Sequence, residues 1–89
     1  MTPFQQECIA ELERQAAKRH IRIRDLKETS GRAESYIIGH IGQTTFWIYE
    51  DMADFRYGTA GRVFEPPDYA NSQRLIAAFV DGLLSAVAQ

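Results

Sequence analysis

The segment YIIGHIGQTTFWIY, residues 36–49, restricts the possible folds more than any other part of the chain. Apolar residues alternate on both sides of Gly42-Gln43. A Gly-X pair between two alternating runs marks a two-residue hairpin loop, because Gly supplies the positive φ that a type II′ turn needs at its first central position. So short a loop leaves one register. Ile41 then faces Thr44, His40 faces Thr45, Gly39 faces Phe46, Ile38 faces Trp47, Ile37 faces Ile48, and Tyr36 faces Tyr49. Successive strand residues point to opposite sides. One side therefore collects Ile37, Gly39, Ile41, Phe46 and Ile48, with the Phe46 ring over the bare Gly39. The other collects Tyr36, Ile38, His40, Trp47 and Tyr49. Both faces of this hairpin need cover.

The flanking segments supply it for one face. Thr2-Pro3-Phe4-Gln5 reads as a helix start, with Thr2 as N-cap, Pro3 at N1 and Gln5 closing a capping box. Phe4, Cys8, Ile9, Leu12 and Ala16 recur at helical spacing, and acids precede bases along the segment as the macrodipole favours. This predicts an amphipathic helix of about four turns, with Cys8 as a buried thiol on its apolar stripe. The period changes at His20. IRIRDL alternates like a strand and ETSGRAES carries turn residues. The first strand is expected to add Ile21 and Ile23 to the aliphatic side and Arg22, Arg24 and Leu26 to the aromatic side. Beyond the hairpin, Gly58 and Gly61 read as turn residues, RVFE as a short extended piece, and Pro66-Pro67 as a break. Asn71 is the expected N-cap of a second helix, whose arc of Leu75, Ile76, Phe79, Val80, Leu83, Leu84 and Val87 is wide enough for near-complete burial. The expected fold over residues 1–89 is one α+β domain. It is a two-layer helix-strand-strand-strand-helix arrangement, with an antiparallel three- or four-stranded sheet and both helices on one face. The alternative sets one helix on each face and turns the aromatics into core.

Composition and charge narrow the setting. A hydrophobic content of 45% with 25% charged residues argues against wholesale disorder, and a lone cysteine leaves no intrachain disulfide. The longest strictly apolar run, LIAAFV at 75–80, is far too short to span a membrane. Glu7, Glu11 and Glu13 occupy the stretch where a signal peptide would need an apolar centre. A cytoplasmic protein without a membrane partner is expected. The net charge of −2 is unevenly spread: residues 14–32 hold seven bases against two acids, while residues 33–89 hold three bases against seven acids.

No catalytic constellation emerges. Glu50, Asp51 and Asp54, with Glu65 and Asp68 behind them, could offer oxygens to a hard cation, but the spacing matches no metal loop and suits the solvated end of a strand. His20 and His40 lack metal-ligand spacing with Cys8. No serine sits in a nucleophile elbow, and GTAGR lacks the Lys-Ser/Thr ending of a phosphate loop. The expectation is therefore a non-enzymatic interaction domain with no metal or cofactor. Its binding or dimer face is built from Tyr36, Ile38, Trp47 and Tyr49, with Arg22 and Arg24 beside them. The expected partner is a second copy or another protein, as in small inhibitor or immunity-type binding proteins. Two alternatives stand beside it. Aromatics interleaved with arginines on a sheet resemble the stacking platforms of single-stranded nucleic-acid binders, with the basic segment 14–32 as the contact. The element order is also similar to that of double-stranded RNA-binding domains. Where that family has a Lys-rich motif at its last helix, however, this chain reads EPPDYANSQR, so only the order is shared. The other alternative is a metal-dependent enzyme at the acidic loop 50–54.

Overall fold

A computed structural model describes residues 1–30 and 34–88. Helix α1 (Pro3–Lys18) starts as its sequence requires. The Thr2 hydroxyl accepts from the Gln5 N–H at 3.2 Å, and the Gln5 side-chain oxygen accepts from the Thr2 N–H at 2.8 Å. The buried Gln5 amide also donates to the carbonyls of Ser35 and Ile48, so the capping residue ties the helix to the sheet. The other end closes on a Schellman motif: the Ile21 N–H reaches back to Ala16 at 2.9 Å and the His20 N–H to Ala17 at 3.2 Å. His20 occupies the left-handed position of that motif with φ 56°, where glycine is the unstrained choice. Replacing His20 with Gly should therefore raise stability by about 0.5–1 kcal/mol. A urea midpoint unchanged or lowered in that variant would contradict the strain.

Strands β1 (Arg24–Ser30), β2 (Ser35–Ile41), β3 (Thr44–Ile48), β4 (Ala53–Tyr57) and β5 (Ala60–Phe64) form one antiparallel sheet in chain order. A 3-10 turn at Pro66–Asp68 leads to α2 (Ser72–Val87), whose N-cap Asn71 accepts from the Arg74 N–H at 2.9 Å. The architecture is α+β with both helices on one side of the sheet, as expected, but with five strands instead of three or four. The β2–β3 register is the one the Gly42-Gln43 loop dictates, from Ile41↔Thr44 to Ile37↔Ile48. Gly42 has φ 59° while Gln43 keeps a negative φ, the pattern of a type II′ turn. A Cβ on Gly39 would stand 2.4 Å from the Phe46 ring, so only glycine fits opposite that phenylalanine.

Two segments depart from the expectation. Residues 53–64, expected as turns followed by one short extended piece, form the β4–β5 hairpin around Gly58-Thr59, closed by Tyr57↔Ala60 with Gly58 at φ 60°. The first strand begins at Arg24, later than IRIRDL implies, and the centre of the expected turn, residues 31–33, lies outside the described residues. Between Arg24↔His40 and Lys27↔Ile38 the ladder carries a bulge, with Asp25 at φ 54°. Two residues, Asp25 and Leu26, oppose the single Gly39, and the extra residue reverses the parity beyond it. Leu26 thereby leaves the aromatic side and approaches Gly39 from the helix side, while Lys27 and Thr29 join Arg24 on the other face.

The core lies between the helices and one face of the sheet. It joins Cys8, Ile9, Leu12 and Ala16 of α1 and Leu75, Ile76, Phe79, Val80, Leu83 and Leu84 of α2 to Ile37, Ile41, Phe46, Ile48, Phe55 and Phe64. The alternative with one helix on each face is thereby overturned, because residues from both helices bury against the same strand positions.

Candidate functional site

With both helices on one side, the opposite face of the sheet is left open, and the registers fix what stands on it. Directly opposed residues of neighbouring strands share a face. Lys27, Ile38, Trp47, Asp54 and Val63 therefore form one row across all five strands. Arg24, His40, Thr45, Arg56 and Gly61 form the row beside it. On the far side of the Trp47 row stand Thr29 and Tyr36, and Tyr49 follows β3 so that its ring centroid lies 5.8 Å from that of Tyr36. Trp47 thus sits at the centre of the face, partly buried by its neighbours, while Val63 at the edge is 53% exposed.

The structure brings together five of the six residues expected on this face. Tyr36, Ile38, Trp47 and Tyr49 are contiguous. Arg24 lies opposite His40 and donates to the Gly42 carbonyl at the β2–β3 turn. Arg22 stands ahead of β1, exposed and outside the ladder. Lys27, Asp54, Arg56 and Val63 also line the face, and their places follow from the bulge at Asp25 and the second hairpin. The second hairpin did have a signal: YGTA repeats the Gly-X device of IGQT between two alternating runs, ADFRY and AGRVF.

Two polar atoms on this face are buried without a hydrogen-bond partner among the described residues, Asp54 Oδ1 and His40 Nδ1. A buried carboxylate oxygen left unpaired is unfavourable by a margin of kcal/mol, and such atoms are uncommon in folded chains. Burial pushes the Asp54 carboxyl above its ordinary pKa, with the Arg56 charge pulling the other way. The Tyr49 phenol is also raised, first by burial and then by the negative field of Asp54. The face is thus aromatic at its centre, cationic at Arg24, Lys27 and Arg56, and acidic at one incompletely solvated position beside Trp47.

The other candidate features lie elsewhere. Arg14 and Lys18 belong to α1 and Arg19 caps it, in the opposite layer, so the bases of the segment 14–32 do not gather on one surface among the described residues. Asp51 sits exposed in the β3–β4 connection, where the Tyr49 N–H bonds the Met52 carbonyl at 2.8 Å, whereas Asp54 lies on the open face. Among the described residues no three His, Cys, Asp or Glu side chains converge. A concavity of about 430 Å³ between Phe4, Asp51, Tyr69 and Leu75 includes Asn71, whose side-chain oxygen is already engaged in capping α2.

Cys8 is fully buried, and burial pushes its thiol up to about 12. It should resist an aromatic disulfide reagent at pH 8 in the folded protein and react at once in denaturant, since only an exposed thiolate attacks. Rapid reaction in native buffer would contradict its placement.

No family model, curated protein or solved structure matches this chain.

Proposed function

We propose that the protein is a non-catalytic, cytoplasmic interaction domain that self-associates as a homodimer through its open sheet face, in the manner of small inhibitor or immunity-type binding proteins. The observation that carries this reading is the single row of Ile38, Trp47 and Val63, backed by Tyr36 and Tyr49, on the side of the sheet that neither helix covers. Aromatic groups gain most from leaving water, and contiguous apolar patches of this kind mark contact surfaces. Five strands about 4.8 Å apart and about five residues long at 3.3 Å give roughly 400 Å² of flat sheet per copy. Two such faces hide on the order of 800 Å² before the corrugation of the rings is counted, below the ~1,200 Å² at which stable specific interfaces begin and in the range of weak, transient contacts. Dissociation on dilution follows. Trp47 is the only tryptophan, so its emission reports on the face directly. It should shift to longer wavelength as the protein is diluted through its dissociation constant. An emission maximum independent of concentration, from micromolar to millimolar protein, would count against self-association.

A second reading has its own support. Arg24, Lys27 and Arg56 share the face with Trp47, Tyr36 and Tyr49, and cations around exposed rings suit the stacking of bases along a single strand. Against it stands Asp54 beside Trp47, which repels phosphate, together with the net charge of −2. Titration with a single-stranded oligothymidylate decides between the two readings. Salt-sensitive quenching of Trp47 would favour the nucleic acid, and unchanged emission the dimer.

A further inference from the structure

We infer that the dimer is built on a two-fold axis running parallel to the strands between β2 and β3, so that Lys27 of each copy lies over Asp54 of the other and Ile38 over Trp47. This rests on the reading of the open face as a self-association surface, and adds to it the arrangement of the two copies and the charged pair that fixes it.

Two identical sheets can stack about an axis perpendicular to the strands or one parallel to them. A face-to-face homodimer has its axis in the plane between the sheets. In the central row the order is Lys27, Ile38, Trp47, Asp54, Val63, with one residue per strand from β1 to β5. An axis perpendicular to the strands along this row sets each strand over its own copy, which places Lys27 on Lys27 and Asp54 on Asp54. Like charges in a desolvated contact are repelled, so this arrangement is disfavoured. An axis parallel to the strands over β3 places Asp54 against Ile38 and Lys27 against Val63. Both charges then lose water with nothing in exchange. Moving the axis half a strand, to lie between β2 and β3, sets β1 over β4 and β2 over β3 and leaves β5, with Val63, at the rim outside the four-strand overlap. Lys27 now meets Asp54 twice, and Ile38 meets Trp47 twice. No other axis parallel to the strands pairs these two charges.

Two observations on the single copy agree with this arrangement. Asp54 Oδ1 is closed off inside the copy with no partner among the described residues, which leaves the carboxylate short of donors and its other oxygen, Oδ2, as the atom an ammonium from above would meet. Lys27 is exposed and does not form an ion pair in the described chain. The same axis brings Arg24 of one copy toward Arg56 of the other. That repulsion falls in the neighbouring row, where Arg24 is engaged with the Gly42 carbonyl and lies 3.6 Å from Asp25, and both guanidinium groups belong to exposed residues.

A charge swap tests the proposal in the full chain by sedimentation equilibrium at low salt. Lys27→Glu and Asp54→Lys should each weaken the dimer about tenfold or more, because each sets like charges in contact. The double variant should return to within about threefold of the wild type. Should Asp54→Lys not fold, cysteines introduced together at 27 and 54 provide an independent measurement. The two positions lie three strands apart within a copy, roughly 14 Å, too far for an internal disulfide. Mild oxidation should therefore yield a covalent dimer, with buried Cys8 taking no part. If Lys27→Glu leaves the dimer intact and the cysteine pair does not cross-link, while Trp47→Lys still dissociates it, the axis is wrong and the face is right. If the wild type is a monomer throughout, the reading beneath the proposal fails as well.

Discussion

Replacing Phe79 with alanine is expected to remove about 3–5 kcal/mol of stability and to leave much of the population unfolded. The reason lies in how many elements meet at this one ring. Phe79 is fully buried in the middle of α2, and its centroid stands 6.3 Å from Phe46 on β3, 6.4 Å from Phe55 on β4 and 5.7 Å from Phe64 on β5. Three of the five strands thus hold the helix through the same side chain. Truncation forfeits the transfer free energy of a benzyl group and opens a cavity that rings fixed on separate strands cannot readily close. A chain of this length is stabilised by only about 4–13 kcal/mol in total, so one such loss is decisive. Leu83→Ala, one turn further along and equally buried, should fall in the range of about 2–5 kcal/mol. Urea melts followed by circular dichroism measure both. A midpoint for Phe79→Ala equal to that of the wild type would show that α2 does not hold the sheet.

The largest expected effect on association belongs to Trp47. It stands at the centre of the open face, between Ile38 and Asp54, where the contact between copies would be driest. Central aromatic residues of this kind dominate binding energy, and removing one reaches the ~2 kcal/mol that defines a hot spot, or about 30-fold in affinity. Trp47→Asp introduces an unpaired carboxylate there but also sets it directly across from Asp54, where like charges weaken the sheet itself. Trp47→Lys is the cleaner variant. Its ammonium can pair with Asp54 within the copy, so folding should fall by only about 1 kcal/mol, while a hydrated charge enters the interface. The expected product is a folded monomer with the far-ultraviolet spectrum of the wild type. A Trp47→Lys protein that still associates with unaltered affinity would remove the face from the account.

How far the fold was legible depended on how local its instructions were. The β2–β3 hairpin could be read to the residue, because Gly42-Gln43 fixes the loop length and the alternation on both sides agrees with it. The caps Thr2 and Asn71 were equally plain, since each acts within three residues of itself. β4 was harder. In ADFRY the outward positions are Asp54 and Arg56, so the segment looks like a polar connection unless Gly58-Thr59 is recognised as a second hairpin loop. β1 was obscured by its bulge. Nothing in RDLKE announces that Asp25 takes a positive φ, and that one residue decides whether Leu26 or Lys27 faces the aromatics. The candidate face was consequently visible as Tyr36, Ile38, Trp47 and Tyr49 with Arg24 beside them, while Lys27 and Asp54, three strands apart, required the whole sheet to be aligned.

Sedimentation velocity over a concentration series reads self-association in the wild-type protein itself. The weight-average mass is expected to rise from 10.1 kDa at low concentration toward twice that value, with Trp47 becoming shielded from a soluble quencher over the same range. A mass of 10.1 kDa at every concentration, with Trp47 equally open to quencher throughout, would contradict it.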